Sequence, residues 1–283
     1  MKKVAVVILN FKVAEEVVKC IKSVQASTYA NLQIIVVDNN SQDSLEEKLR
    51  NFKSIYFYAN SENSGYTGGN NIGIKLAIQL GVEYILILNP DTTVDKNCIE
   101  NLVKGAEKLR VGVVGPKIYF SGTEKIWYAG GIMNLANVIG SHRGVDEKDT
   151  GQYDKAEETD YVTGAAMLIN VDVIKKIGMF DENFFLYYED ADFCMRAKKA
   201  GFKIFYIPDA QVYHDNAKSA GLGSPLQDYF ITRNRMLYVS KFLSFRTRFA
   251  LFREALRNIN SPVRRLAFFD FLIGNFGKGS FKI

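Results

Sequence analysis

Tyr84-Ile-Leu-Ile-Leu-Asn-Pro-Asp91 is an uncharged apolar run that stops at a proline and delivers a carboxylate. Residues of this kind form a strand buried on both faces, and Pro90 has no N–H with which to continue the ladder, so Asp91 should emerge where the sheet ends. Ligands collect at that edge of open α/β sheets. The Asn89-Pro90-Asp91 step also reads as a plain strand-end turn, or as Asp91 capping the next helix.

Strand and helix patterns alternate on either side of this run. Strands are expected at Val4–Leu9, Leu32–Val37, Ile55–Tyr58, Tyr84–Leu88 and Val111–Pro116, with helices at about 13–26, after Asp43, at about 67–80 and at about 95–109. A βαβ series of this kind implies a mostly parallel central sheet with helices on both faces. Its strand-end loops carry Asn10, Asp38-Asn-Asn-Ser41 and Asn89-Pro-Asp91, which should line one crevice.

Asp38 can accept a hydrogen bond from a ribose hydroxyl or a pyrimidine imide, or it can close an Asx-turn over Asn39 to Ser41 or cap the next helix. Glu62-Asn-Ser-Gly-Tyr-Thr-Gly-Gly-Asn-Asn-Ile-Gly73 places glycines where a backbone must approach something closely and opens a helix, so its main-chain donors suit a diphosphate or a nucleoside. It is neither a Walker A sequence nor a GxGxxG fingerprint.

Beyond residue 116 the alternation weakens, and residues 121 to 160 read as an excursion with a mobile loop that suits a lid or acceptor surface. Order returns at Asp160–Ile169, where the small residues Thr163, Gly164 and Ala165 leave room for a sugar ring. A second acidic signature follows in Phe184-Phe-Leu-Tyr-Tyr-Glu-Asp190, with a helix from about Glu189 to Gly201. Acidic residues in a first helical turn are favoured by the dipole alone. Opposite a donor sugar, one of them could take the proton from an acceptor hydroxyl. His214 ends an expected edge strand, Phe205–Tyr213, and a histidine beside Asp91 and a diphosphate suits Mn²⁺ better than Mg²⁺.

Composition narrows the class. The 283 residues, 47% of them hydrophobic, can bury a substantial core. Three cysteines, Cys20, Cys98 and Cys194, lie far apart without CxxC spacing, as buried reduced thiols would. The N-terminal apolar run is too short for a signal peptide, and 18 uncharged apolar residues occur nowhere in succession, so a cytoplasmic protein, at most peripheral at the inner face of the membrane, is expected. The charge of +5 is uneven: residues 231 to 283 carry eleven Lys or Arg against Glu254 and Asp270. Within them, Lys241–Arg257 interleaves aromatic and basic side chains at helical spacing, which fits contact with an anionic membrane or a helix packed on the catalytic part or on a homodimer partner. No nucleic-acid-binding module accompanies the basic stretch.

Taken together, the chain resembles the GT-A-fold family 2 glycosyltransferases, within them the rhamnosyltransferase-like enzymes of surface polysaccharide assembly. The elements that carry the resemblance are Val4–Asn10, Val36-Val-Asp-Asn-Asn-Ser41, Asn63–Gly73, Leu88-Asn-Pro-Asp91, Val162-Thr-Gly-Ala-Ala-Met167, Gly178–Asp190 and Tyr206–His214. It implies an α/β GT-A (nucleotide-diphospho-sugar transferase) fold over residues 1–230, with a nucleotide-binding part to about 116 and an acceptor part from about 117. Residues 231–283 would form a basic, aromatic, helical extension. It further implies Asp190 as catalytic base with Glu189 positioning a substrate, and Asp91 and His214 as ligands of Mn²⁺ or Mg²⁺. Asn10, Asp38, Asn63, Gly65, Gly69, Asn70, Asn89, Asp91, Arg233 and Arg235 would contact the nucleotide-sugar donor. Two positions depart from the family pattern: Asn89 is neutral where stricter members carry a carboxylate, and Lys12 replaces a common asparagine.

The reaction implied is an inverting single displacement. It moves a sugar, L-rhamnose from dTDP-L-rhamnose by this resemblance, to a glycan or lipid-linked glycan acceptor. A UDP-hexose or UDP-N-acetylhexosamine donor is the alternative, and a non-catalytic carbohydrate-binding subunit a further one.

Overall fold

All seven residues of strand β1 (Val4–Asn10) are buried, as expected of a central strand covered on both faces. The computed structural model describes residues 1–215 and 223–282, so part of the expected catalytic region and the last residue of the expected extension lie outside the described residues. After β1 come α1 (Ala14–Gln25), β2 (Leu32–Asp38), α2 (Leu45–Leu49), β3 (Ile55–Ala59), α3 (Gly65–Gln79), β4 (Tyr84–Leu88), β5 (Thr92–Val94) and α4 (Cys98–Leu109). The middle holds β6 (Val113–Phe120), β7 (Ile126–Tyr128), β8 (Gly131–Asn134), β9 (Ile139–His142), β10 (Glu157–Glu158), β11 (Ala166–Asn170), α5 (Val171–Ile177), α6 (Glu189–Lys199) and β12 (Ile204–His214). Helices α7 (Pro225–Phe242), α8 (Phe245–Arg257) and α9 (Pro262–Ile273) follow.

The main sheet runs β10-β12-β6-β11-β4-β1-β2-β3, with β5 paired to β12 and β7 to β6. Strands β3, β2, β1 and β4 are parallel, and β11 enters antiparallel between β4 and β6. The order of connection reverses between β1 and β4, which is where an open sheet leaves a crevice at its carboxyl edge. Alternation along β1 divides the interior in two. Val4, Val6 and Ile8 join a core with Val17 of α1 and Ile99 of α4, whereas Ala5, Val7 and Leu9 join one with Ile74 of α3 and Phe193 of α6. Burying such aliphatic side chains contributes about 1.5–3 kcal/mol each, so a charge at Ile8 or Val7 would break the sheet's centre.

Several elements differ from expectation. Helix α3 starts at Gly65, two residues before the expected start near 67, and a Cβ at Gly69 or Gly73 would overlap Leu9 and Val7 of β1. These two glycines serve close helix-on-strand packing. Strand β12 is not an edge strand: it pairs with β6 on one side and with β10 and β5 on the other. Pro208 is tolerated there because it falls in the register break between Ile207 and Gln211. Much of the 121–160 excursion is regular, comprising β7, β10 and the β8–β9 hairpin, and it is tied down by buried Lys117, whose Nζ reaches Asp149 and Asp154 at 2.8 and 2.6 Å. Helix α7 runs across position 230, where the sequence suggested a boundary, and the expected 241–257 helix is interrupted at Leu243-Ser244. The three cysteines are buried free thiols. Among the described residues no helix is long and apolar enough to cross a membrane.

Candidate active site

At the β1 and β2 ends, Asn10 and Asp38 sit in register. The fully buried Asn10 amide donates to Asp38 Oδ1 at 2.7 Å and Ser41 Oγ at 2.9 Å, and lies 3.0 Å from Asp43 Oδ2, while its Oδ1 accepts from Val13 N. Asp43 in turn accepts from Ala14 N at 3.0 Å, satisfying the start of α1. Both ends of Asn10 are thus engaged, so it positions Asp38 rather than offering itself to a donor. Asp38 Oδ2 accepts from Ser41 N at 3.2 Å, the turn-closing geometry expected as an alternative, and the carboxylate stays half-buried at the crevice edge.

Asn63 likewise accepts from Asn39 Nδ2 and from Gly65 N, both at 2.9 Å, shaping the entry to α3. Asn39 binds the same turn through Ser64 N at 3.1 Å. Gly65 has φ +74°, and a Cβ there would overlap the Phe185 ring. From the first turns of α3, Thr67 Oγ1 and Asn70 Oδ1 are buried without partners. Tyr66 donates to Gly164 O at 2.6 Å; burial, then the charges of Glu189, Asp190 and Asp91, push its phenol well above the ordinary tyrosine range. One phenol therefore senses all three carboxylates.

Pro90 ends β4, and the short strand β5 turns Asp91 toward the end of β12. There Thr92 pairs with His214, Asp215 N donates to Asp91 O at 2.8 Å, and His214 Nε2 lies 3.1 Å from Asp91 Oδ1. Asp91 Oδ2 and His214 Nδ1 are buried without partners. Asn89 is half-buried beside them, its main chain held by Ala165 O at 2.9 Å. Trp127 stands edge-on between His214 and His142, with ring centroids 4.5 and 4.3 Å apart. Burial holds His142 down to about 4, so it is neutral near pH 7. Among the described residues no group of three or more His, Cys, Asp or Glu converges on one point. The chain itself offers a cation the Asp91–His214 pair, one hard oxygen and one borderline nitrogen.

The Glu189-Asp190 pair opens α6 after a tightly bent stretch. Phe185, Tyr187 and Tyr188 have φ of 63°, 67° and 72°, values that bulky side chains rarely adopt, so the surroundings must impose them. Helix α7 does so: Asn234 Nδ2 reaches the carbonyls of Phe184, Leu186 and Tyr187 at 2.8, 2.8 and 2.9 Å, and Arg233 Nη2 those of Asn183 and Phe184, both at 3.2 Å. Asp190 is then held by Gly164 N at 3.1 Å and Ala191 N at 2.7 Å, whereas Glu189 Oε2 is buried without a partner. Burial pushes both carboxyls up, Glu189 well above its ordinary range with Asp190's charge as the second cause. Two backbone N–H groups favour the charged form at Asp190 whereas Glu189 Oε2 has none, so Asp190 is the better placed of the two to ionise.

The two tail arginines expected as donor contacts are both engaged within the chain. Arg233 is fully buried, packed over Tyr229 and Phe230, and spent on carbonyls. Arg235 bonds Asn137 O at 2.7 Å and clasps Glu254 at 2.7 and 3.0 Å. Sequence reading did not assign roles to Asn39, Asp43, Tyr66, Thr67 or Asn234. Tyr66 and Thr67 lay in a quoted glycine-rich stretch, but only the orphaned atoms and the shared electrostatics single them out.

An open sheet with acidic residues gathered at its switch-point edge, and a second carboxylate pair opening α6, is the arrangement of the GT-A fold. The sequence pattern described as Glycosyl transferase family 2 matches residues 5–178, and the chain belongs to that family; it is a glycosyltransferase. It is similar to the low-salt glycan biosynthesis hexosyltransferase Agl10 of Haloferax volcanii, 26% identical over 85% of this chain and 76% of that one. It is also similar to the dTDP-rhamnosyl transferase RfbF of Shigella flexneri, 24% identical over 75% and 72%. Among solved structures it shares the fold of the mannosyltransferase PcManGT from Pyrobaculum calidifontis, solved with GDP-Man and Mn²⁺, at TM-score 0.61 and 14% identity over 99% of this chain and 76% of that one.

Proposed function

We infer that the protein transfers a hexosyl unit from a nucleoside diphosphate sugar to a hydroxyl of a glycan or lipid-linked glycan, with a divalent cation and with inversion. One observation carries the reading. The buried side-chain atoms left without partners among the described residues belong to Thr67, Asn70, Asp91, Glu189 and His214, on the elements that border the crevice. Unsatisfied buried polar atoms cost about 1–3 kcal/mol each, and a polar ligand offsets that cost.

Asp91 and His214 would hold the cation, Mn²⁺ in preference to Mg²⁺ because one ligand is an imidazole. Bound there, it would offset charge on the departing diphosphate. Two protein ligands suit an ion that completes its shell with donor oxygens, so cation and donor should bind together. Asp38, set by Asn10, faces the nucleoside, and Asp190, fixed by Gly164 N, takes the acceptor proton. Glu189, whose Oε2 has no partner among the described residues, can hydrogen-bond a substrate hydroxyl.

Similarity to the hexosyltransferase Agl10, over 85% of this chain, supports a hexose donor. Similarity to a dTDP-rhamnosyl transferase supports dTDP-L-rhamnose as a second reading. Release of free nucleoside diphosphate from a panel of UDP-, dTDP- and GDP-sugars, with Mn²⁺ and after chelation, tests both. Cation-dependent release with one donor class is expected; no release with any would overturn the reading.

A further inference from the structure

Helix α8 turns its apolar stripe outward. Phe245, Phe249, Phe252 and Leu256 follow one another at i, i+4, i+7 and i+11, a single face of a helix. Phe245 is 78% exposed, Phe249 53% and Leu256 43%. The helix is anchored by a different side, through buried Leu251 and through the Glu254–Arg235 pair. Helix α9 repeats the spacing with Pro262, Leu266, Phe269 and Ile273, of which Phe269 and Ile273 are 54% and 74% exposed while Ala267 and Phe268 face inward. The two helices meet at Phe252 and Phe268, whose ring centroids are 5.2 Å apart.

Charge on this face has one sign. Both carboxylates of residues 231–283 are consumed internally, Glu254 by Arg235 and buried Asp270 by Tyr229, Asn275 and Ser280. Arg246, Arg253 and Arg257, at i, i+7 and i+11, line the flank of the α8 stripe and have no carboxylate partner among the described residues. Arg253 leans over Phe249 at 6.0 Å.

We propose that the α8–α9 face lies in an anionic lipid surface, with Phe245, Phe249 and Leu256 entering the boundary between headgroups and acyl chains and Arg246, Arg253 and Arg257 meeting lipid phosphates. Aromatic residues on one stripe with arginines along its edge are what an interfacial helix requires. Charge selects the occupant. A second copy docked through the same face would set unpaired cations against one another, whereas anionic headgroups neutralise them. The inference is independent of the donor and of the chemistry at Asp91 and Asp190.

Flotation of the full chain with phosphatidylcholine vesicles, with and without phosphatidylglycerol, tests it. Retention only on the anionic vesicles, weakened by salt, is expected. Phe245→Ser with Phe249→Ser should weaken retention at least about tenfold, and Arg246→Glu, Arg253→Glu and Arg257→Glu together on the order of a hundredfold. Both variants should keep the wild-type circular dichroism and melting temperature, since the altered side chains are exposed. No retention on anionic vesicles, or equal retention on neutral ones, overturns the proposal. So does a concentration-dependent dimer that Phe245→Ser with Phe249→Ser dissolves and vesicles do not displace, which would assign the face to a second copy.

Discussion

The two sides of the crevice are built differently. On the β1–β4 side, Asp38 and Asp91 follow regular parallel strands, and contacts between neighbouring strand ends, the Asn10 amide on Asp38 and the end of β12 on Asp91, set their positions. On the α6 side, Glu189 and Asp190 follow a stretch with three bulky residues at positive φ, held by side chains about fifty residues further along. The first side rests on paired strands, whereas the second is held by side chains of α7. Binding of the donor and removal of the acceptor proton should therefore be separable by mutation.

Replacing Asp190 should have the largest effect. Asp190→Asn is expected to reduce turnover by about 10² to 10⁴ if it accepts the proton, while Glu189→Gln, which keeps the side chain's shape and a hydrogen-bonding end, should lose less than about tenfold. Steady-state kinetics of the two variants decides this, and equal losses would merge the roles assigned to them. Because burial raises the Asp190 carboxyl and its ionised form is the active one, activity should fall as pH drops through a value above the ordinary aspartate value of about 4. An acid limb at or below that value would contradict the assignment.

Asn234→Ala sharpens the contrast between the two sides. It removes the donor that reaches the carbonyls of Leu186 and Tyr187, each worth about 1–3 kcal/mol when left buried and unpaired, while Phe184 O keeps Arg233 Nη2 and Leu186 N. Turnover should drop by about 10- to 100-fold from misplaced Asp190, with KM for the donor nearly unchanged because the β1–β4 side is untouched. A rise in donor KM with normal turnover would show that the two sides are not independent.

The smallest effect belongs to Lys12, exposed at φ 61° just after β1. The asparagine common in the family at this position tolerates that backbone, and lysine does so less well. Lys12→Asn should raise stability by about 0.5–1 kcal/mol in chemical denaturation without altering activity. A loss of stability would mean that the lysine has a role its backbone does not reveal.

This contrast also explains what the sequence made legible. Asp38 and Asp91 could be placed because continuous apolar runs, buried on both faces, end just before them, a local signal. The pairing of Asp91 with His214 depends on β5, three residues long and too short to leave a periodic pattern. Phe185, Tyr187 and Tyr188 adopt conformations their own propensities oppose, so tertiary contacts overrode local preference there. Arg233 was implied as a contact of the donor by the family resemblance alone. Its burial over Tyr229 and Phe230, with its N–H groups on carbonyls, is a property of the folded chain alone. The glycines of α3 were recognised as points of close approach, but what approaches Gly69 and Gly73 is the sheet.

That the Asp91–His214 pair binds a cation jointly with the donor diphosphate is tested most directly by titration calorimetry of Mn²⁺ into the wild-type chain and Asp91→Asn, each with and without nucleoside diphosphate. Weak or absent Mn²⁺ binding alone, strong binding once the diphosphate is present, and loss of that coupling in Asp91→Asn are predicted. Tight Mn²⁺ binding without the diphosphate, or diphosphate binding indifferent to Mn²⁺ and to Asp91, would contradict it.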